Sequence, residues 1–174
     1  MNDLAAILRA ILDGYVLPVD GFHGVFHWAR VLENGLRIAE ANGADREVVM
    51  LFALFHDSRR VTEDQDDGYG LRGGELARSL RGNLVHLDDD RFDMLFEACR
   101  LHTDGLTAGD PTLLACWDAD RLDLGRVGIT PDRRRLGTRA GRGLLAWAHP
   151  RAVGWHEPTA VLESWGWGAG TGTA

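Results

Sequence analysis

An unbroken apolar run that ends in a histidine–aspartate pair is the sequence feature that most constrains the fold. Residues 51–55 are all apolar, His56 and Asp57 follow at once, and Arg59 and Arg60 come next. A run without polar breaks is typical of a helix that is buried on all sides. Burying an imidazole beside a carboxylate is costly unless a partner satisfies both groups, and a metal ion does this well. The stretch therefore predicts a central helix that presents two metal ligands at its carboxyl end.

The composition favours a soluble, cytoplasmic protein with one hydrophobic core. The chain has 174 residues and a net charge of -7, which argues against a basic groove for nucleic acid. Cys99 and Cys116 both lie in apolar helical context, which is typical of reduced thiols. The first residues lack the pattern of a secretory signal, and no run approaches the roughly 18 apolar residues of a membrane span.

Apolar residues recur at helical spacing along the chain, and we expect an all-α, compact, single-domain bundle. No strand alternation and no internal repeat is visible in the sequence. Helices are predicted at 3–13, 25–41, from an Asp45 cap to the His56–Asp57 pair, 75–80, from Asp88 or Asp89 to about His102, 111–125 and within 144–155.

Three stretches without helical periodicity are predicted to be irregular. The segment 61–74 is acidic and glycine-rich, and we expect a loop that is either functional or mobile. The basic segment 126–143 is predicted to be mostly irregular, and the glycine-rich end, 164–174, is expected to fray.

Three further residues could complete a metal site with the pair. His23 and His27 lie four residues apart at the start of a predicted helix, where they could share a face. Asp120 lies on the stripe of its helix that the core should cover. A carboxylate in that position predicts a buried partner.

Taken in order, these residues carry a family resemblance. His27 lies in the string HWARV, the His56–Asp57 pair closes an apolar helix, and Asp120 lies in the string ADRLD. This order and these contexts resemble the HD superfamily of metal-dependent phosphohydrolases, over residues 21–128. The pair alone would be weak evidence, but the three strings together are specific.

The resemblance implies an all-helical domain of the HD type around one divalent metal ion. Residues 21–128 would form the metal-binding core, 1–20 would add a helix packed on it, and 129–174 would be a partly irregular extension of the same domain. The metal ligands would be the four residues that match the family pattern: His27, His56, Asp57 and Asp120. Imidazole and carboxylate ligands suit Mn, Co, Fe, Ni, Zn or Mg, and the sequence does not choose among them.

The second metal of the richer family members is not expected. Many relatives place a histidine–glycine where this chain has Tyr69 and Gly70, and tyrosine is a poor substitute ligand. His102 could represent another of their histidines. It would then lie behind the ligands, contact a phosphate or donate a proton to the leaving group. A core or rim histidine is the alternative.

Other polar residues near the pair are candidates for catalysis and substrate binding. Glu63 is the candidate base for the attacking water, although its spacing from the pair matches the family loosely. Arg59 and Arg60 could hold a phosphate, because the arginine fork matches its geometry, or they could be plain surface charges. His23 is expected to line the mouth of the site.

Each metal ligand also has a structural alternative. His56 could be a satisfied core histidine, with Asp57 merely ending the helix. Asp120 could belong to a solvated run of charges with Asp118 and Asp123, and Arg121 could pair with one of these carboxylates. The context of the three strings favours the ligand interpretation for all four residues.

The resemblance implies a metal-dependent phosphohydrolase that cleaves a phosphate ester with metal-activated water. The partner would be a small phosphorylated molecule, with nucleotides the first class to test, and a homodimer stays open. One alternative is a non-catalytic metal-binding or nucleotide-binding module with a structural or regulatory role. Another is a helical interaction protein without a metal.

Overall fold

The chain folds into eight α-helices over residues 2–168, the part that this computed structural model describes. Two 3-10 turns complete the regular structure, and residues 2–168 contain no β-strand, so the predicted all-α class is confirmed. The helices are α1 (Leu4–Leu12), α2 (Val25–Asn42), α3 (Arg46–Phe55), α4 (Tyr69–Ser79), α5 (Asp89–Leu101), α6 (Pro111–Arg121), α7 (Arg139–Val153) and α8 (Thr159–Ser164), and the 3-10 turns are Leu124–Val127 and Arg133–Arg135. Within the described range no helix combines the length and the apolar character that crossing a membrane requires.

Helix α3 lies at the centre of the fold, where the apolar run predicts it. Each residue from Leu51 to Phe55 is fully buried, and α1, α2, α4, α5 and α6 all pack against the helix. Burial of one such large side chain contributes about 1.5–3 kcal/mol, so this helix is a main source of stability. Its end fixes the direction of His56, which occupies the C-cap position.

Aspartate side chains start four of the helices. In each case a carboxylate oxygen accepts a hydrogen bond from a backbone N–H of the first turn, as at Asp3, Asp45, Asp88 and Asp110. At the other end of α2, Gly43 adopts a left-handed conformation with φ of 75°, which ends the helix where predicted.

Helix α4 begins at Tyr69, six residues before the predicted start at Glu75, so the loop after α3 is shorter than expected. Glycines weaken the helical pattern here, but close packing requires them. A Cβ atom at Gly73 would lie 2.1 Å from the Phe55 carbonyl oxygen, and one at Gly70 would lie 2.3 Å from the Cys99 carbonyl oxygen. The same residues that suggest a loop allow α4 to approach α3 and α5.

The C-terminal part is more regular than predicted. Helix α7 begins at Arg139 instead of near 144, because Thr138 caps it and is itself held by the Asp118 carboxylate through its N–H and hydroxyl, at 2.8 and 2.7 Å. Helix α8 is absent from the sequence prediction. Trp165, within the stretch expected to fray, is only 2% exposed and belongs to the shared core, whereas residues 169–174 lie outside the described residues.

Candidate metal centre

Two buried histidines from neighbouring helices face each other beneath a cleft. His27 lies in the first turn of α2, and His56 follows the last residue of α3. Both are fully buried, and their Nε2 atoms lie 3.1 Å apart. The packing of α2 against α3 therefore brings together two residues that are far apart in the sequence.

Both imidazole rings are oriented by the hydrogen bond on the other nitrogen. The Nδ1 of His56 donates to the Phe52 carbonyl oxygen at 3.1 Å, and the Nδ1 of His27 donates to the Asp123 carboxylate at 2.7 Å. Since those partners only accept, the protons lie on Nδ1 and the Nε2 lone pairs point at each other. Burial lowers the pKa of His56 to about 4, which keeps its ring neutral.

Two carboxylates approach the same point. Asp57 Oδ2 lies 3.4 Å from His27 Nε2 and 3.9 Å from His56 Nε2. Asp120, from the last turn of α6, places Oδ1 at 3.4 and 3.8 Å from the same two atoms. The acceptor atoms of His27, His56 and Asp57 therefore lie within one buried group, and Asp120 approaches the two histidines from the cleft.

Both carboxylates are ionised. Burial acts to raise the pKa of Asp57, but at the low pH where this carboxyl titrates the adjacent His56 is charged, and that charge and the hydrogen bond from His23 hold the pKa well below its usual value. Burial likewise acts to raise the pKa of Asp120, while the charged form of His56 and Arg126 bring that pKa below its usual value.

The converging residues fit a divalent metal ion. Ligands about 2.0–2.2 Å from a metal lie about 3.0–3.4 Å from one another, close to the separations found here. Asp57 Oδ1 is buried and has no hydrogen-bond partner within residues 2–168, and two facing lone pairs repel unless a cation separates them. The buried group His27, His56 and Asp57 could hold a metal ion, and Asp120 lies beside it.

A buried ion pair that the sequence reasoning missed supports His27. Asp123, 1% exposed, accepts from His27 and from Arg30, whose Nε and Nη2 donate at 2.7 and 3.1 Å. The alternative of a solvated run of charges therefore does not hold for Asp123. The signal was spacing: Arg30 follows His27 by three residues and Asp123 follows Asp120 by three, so each pair shares a face. Partners of this kind fix the ligand ring and raise its basicity.

His23 and Glu63 extend the centre on the side of Asp57. His23 Nδ1 donates to Asp57 Oδ2 at 2.8 Å, and Glu63 Oε2 lies 3.6 Å from His23 Nε2. The candidate base therefore reaches the predicted ligands through the His23 ring and does not contact them directly. His23 lines the cleft, as predicted for the mouth of the site.

His102 and Tyr69 close the opposite side. His102 Nδ1 donates to the Cys99 carbonyl oxygen at 2.7 Å, so its Nε2 accepts a hydrogen bond from the Tyr69 hydroxyl at 3.1 Å and lies 3.8 Å from Asp57 Oδ1. Tyr69 thus stands between His102 and the cleft in the position that the family resemblance gives to a histidine.

The two arginines after the pair have structural contacts. Arg59 donates from Nη1 to the carbonyl oxygens of Ile11 and Ser58, both at 2.9 Å, so it ties the turn to α1 and lies away from the predicted ligands. Arg60 lies over the Tyr69 ring at 4.1 Å and donates to carbonyl oxygens of the 61–68 loop. The sequence places Arg59 near the pair, but its side chain points to the other side of the turn.

A cleft of about 310 Å³ opens over the centre. It is lined by metal-centre residues, by three arginines and by an apolar surface: His23, Tyr69, His102, Asp120, Arg121, Arg126, Arg135, Leu124, Val127, Pro131 and Leu136 among them. Arg126, which the sequence analysis does not single out, is 7% exposed, donates to the Phe22 and Asp123 carbonyl oxygens and lies 3.4 Å from His23. The cleft joins a cation-binding arrangement to a wall that carries positive charge.

Comparison with known proteins found no match, whether to family models, to curated proteins or to solved structures.

Proposed function

We propose that the protein is a metal-dependent phosphohydrolase of the HD type, with its active site in the cleft over His27 and His56. The observation that carries the proposal is the buried approach of two Nε2 lone pairs and the Asp57 carboxylate, next to Asp120, which lines a cleft together with three arginines. These four residues are the ones that match the H…HD…D pattern, and the charge of Arg126 next to Asp120 suits the phosphate of an ester.

The ligand residues divide the work of holding the ion. His27 and His56 offer Nε2 atoms in fixed orientations, and Asp57 and Asp120 supply negative charge. A divalent ion bound there lowers the pKa of water and offsets the charge that develops on a phosphate in the transition state. Asp123 keeps His27 in the required tautomer by accepting from Nδ1.

Residues around the ligands can hold protons at defined atoms. His23 lies between Asp57 and Glu63, so its Nε2 can take a proton that Glu63 then stabilises by charge. Across the cleft, burial raises the pKa of the Tyr69 hydroxyl, which therefore keeps its proton at neutral pH and donates it to His102 Nε2. We propose that this hydrogen bond fixes the His102 ring beside Asp57, while the leaving group takes the proton that His23 receives from the attacking water.

The test is steady-state phosphate release from a panel of nucleotides and simple phosphomonoesters with manganese or cobalt present. His56→Ala should abolish both turnover and bound metal, measured by elemental analysis. The matched control is His86→Ala, since His86 is exposed and lies outside the cleft. Turnover that survives His56→Ala without metal would contradict the proposal.

A non-catalytic metal-binding module is the second candidate, and the position of Glu63 favours it. That carboxylate lies behind His23, and Arg60 is engaged with loop carbonyls instead of facing the predicted ligands. Stoichiometric metal that His56→Ala removes, together with no turnover of any ester, would favour this module over the enzyme.

A further inference from the structure

The cleft contains a second cationic position at Arg121, apart from the predicted ligands. Arg121 lies in the last turn of α6, and its Nη1 donates to the Arg135 carbonyl oxygen at 3.0 Å. Its Nη2 is buried and has no hydrogen-bond partner among the residues that the structure describes. Because an unsatisfied buried donor on a charged group is costly, an acceptor is expected at this place.

Asp118 and Asp120 both lie close enough to act on the Arg121 charge, but no carboxylate among the described residues accepts a hydrogen bond from Nη2. Asp118 lies 3.7 Å from Nη1, but its carboxylate accepts from the N–H groups of Gly137 and Thr138 and from the Thr138 hydroxyl. Asp132, which also lines the cleft, is paired with Arg134 at 2.8 Å. Asp118 thus offsets part of the Arg121 charge, whereas Nη2 has no acceptor in the described residues, and the exposed Arg135 adds positive charge to the same cleft.

Arg126 does not offer the same free donor. Its Nε and Nη1 donate to carbonyl oxygens, and its Nη2 lies against His23. It contributes charge next to Asp120, within the candidate metal centre. Leu124 and Leu136 contribute apolar surface to the same cleft. The cleft thus combines a metal-binding arrangement, an apolar wall and a separate guanidinium, that of Arg121, with one N–H donor group that has no acceptor in the described residues.

We infer that Arg121, with Arg135 beside it, binds a second anionic group of the ligand. The cleft would take an organic molecule with two acidic groups joined by an apolar spacer, one at the metal centre and the other at Arg121. This inference rests on the proposed function only for the acidic group at the metal centre; the group at Arg121 does not depend on it. Arg121 is a specificity-determining residue in this arrangement and takes no part in bond cleavage.

The test compares phosphonocarboxylic acids with alkylphosphonates of the same chain length, over a series of spacer lengths. Binding to the metal-loaded protein is measured by isothermal titration calorimetry. At the best spacer length the added carboxylate should tighten binding about tenfold, as a charge-assisted hydrogen bond to arginine does. Arg121→Met should remove that gain and leave the affinity for the alkylphosphonate nearly unchanged.

A second test variant and a control variant complete the comparison. Arg135→Met alters an exposed side chain and should reduce the gain to about threefold, even if Arg121→Met fails to fold. Arg133→Met is the control, because Arg133 lies in the same 3-10 turn, outside the cleft. A gain that is absent at every spacer length, or that survives both Arg121→Met and Arg135→Met, would overturn the inference.

Failure of the proposed function can be told apart from failure of this inference. Phosphonates are not cleaved by phosphate ester hydrolysis, so the calorimetric comparison does not depend on turnover. If the protein binds phosphonocarboxylates through Arg121 but releases no phosphate from any ester, the proposed function is contradicted and the second anion site is supported.

Discussion

His27 and His56 face each other with Nε2 atoms 3.1 Å apart, while the Nδ1 proton of each ring is committed to a protein acceptor. In the absence of a cation, this arrangement sets two lone pairs against each other in a fully buried space. The packing of α2 on α3 therefore forms a position where a divalent cation would satisfy both lone pairs.

Metal binding should stabilise the fold. Addition of manganese or cobalt to chelator-treated protein should raise Tm, because an ion that binds only the folded state at about 100 times its Kd contributes about 2.7 kcal/mol. Differential scanning calorimetry with and without the ion measures the change. His56→Ala should not respond, whereas His86→Ala should respond like the parent. An unchanged Tm in the parent would count against the site.

Asp123→Asn should weaken metal binding although residue 123 is not a ligand. The variant keeps the shape of the side chain but removes the charge that orients His27 and pairs with Arg30. Loss of such a partner lowers metal affinity about 10-fold to 100-fold. Competition with a chromophoric chelator measures it. Asp89→Asn is the control, because Asp89 is 92% exposed and pairs on the surface, and equal affinities in the two variants would contradict the role of Asp123.

Gly73→Ala should destabilise the protein, whereas Gly143→Ala should not. The added Cβ at Gly73 would lie 2.1 Å from the Phe55 carbonyl oxygen, and overpacking of this kind costs about 1–3 kcal/mol or more. At Gly143, also within a helix, the added Cβ meets nothing within 4 Å, so the better helix propensity of alanine should stabilise by up to about 1 kcal/mol. Urea unfolding of both variants distinguishes them. Similar effects of the two substitutions would show that the approach of α4 to α3 is not tight.

Asp45→Ala should destabilise the fold in a pH-dependent manner. Asp45 caps α3 and accepts two hydrogen bonds from Arg91, which hold the pKa of its carboxyl below the usual value. At neutral pH the loss of the cap should cost about 0.5–2 kcal/mol. Because the folded pKa is depressed, the ion-pair contribution is complete above the unfolded pKa of about 3.9 and is lost as pH falls through the folded pKa.

The measurement for Asp45 is urea unfolding at neutral and at acidic pH, with a chelator present throughout. The difference between parent and variant should shrink at the acidic end. Arg91→Met should remove most of the pH-dependent part while leaving the cap hydrogen bonds in place. A difference that stays constant over the whole pH range would contradict the ion-pair contribution.

Local chemistry made much of the fold predictable from the sequence. Asp45, Asp110 and Gly43 mark helix ends through their own backbone preferences, and the apolar run 51–55 requires burial on every side. Such signals act within a few residues, so they are visible without a partner. The early start of α4 could not be predicted from such signals, because a glycine at position 73 is favourable in the helix only through the close contact with the end of α3.

In the candidate site, too, the features set by local sequence signals were predictable, and those set by contacts between distant elements were not. His27 and His56 come together because they lie at the start of α2 and at the end of α3, two helix ends that the sequence marks. Asp123 and Arg30 escaped prediction since each is a plausible surface residue until the other is placed beside it. The direction of Arg59 also depends on a distant element, because its guanidinium donates to the carbonyl oxygen of Ile11 near the end of α1.

The three-residue spacing of His27 and Arg30 on α2, matched by that of Asp120 and Asp123, makes the site sensitive to register. Inserting or deleting one residue between the members of either pair would rotate one of them by about 100° and separate it from its counterpart. The loops between the helices can tolerate changes in length that these two short segments cannot. Length variation during evolution should therefore be confined to the connections and excluded from these two turns.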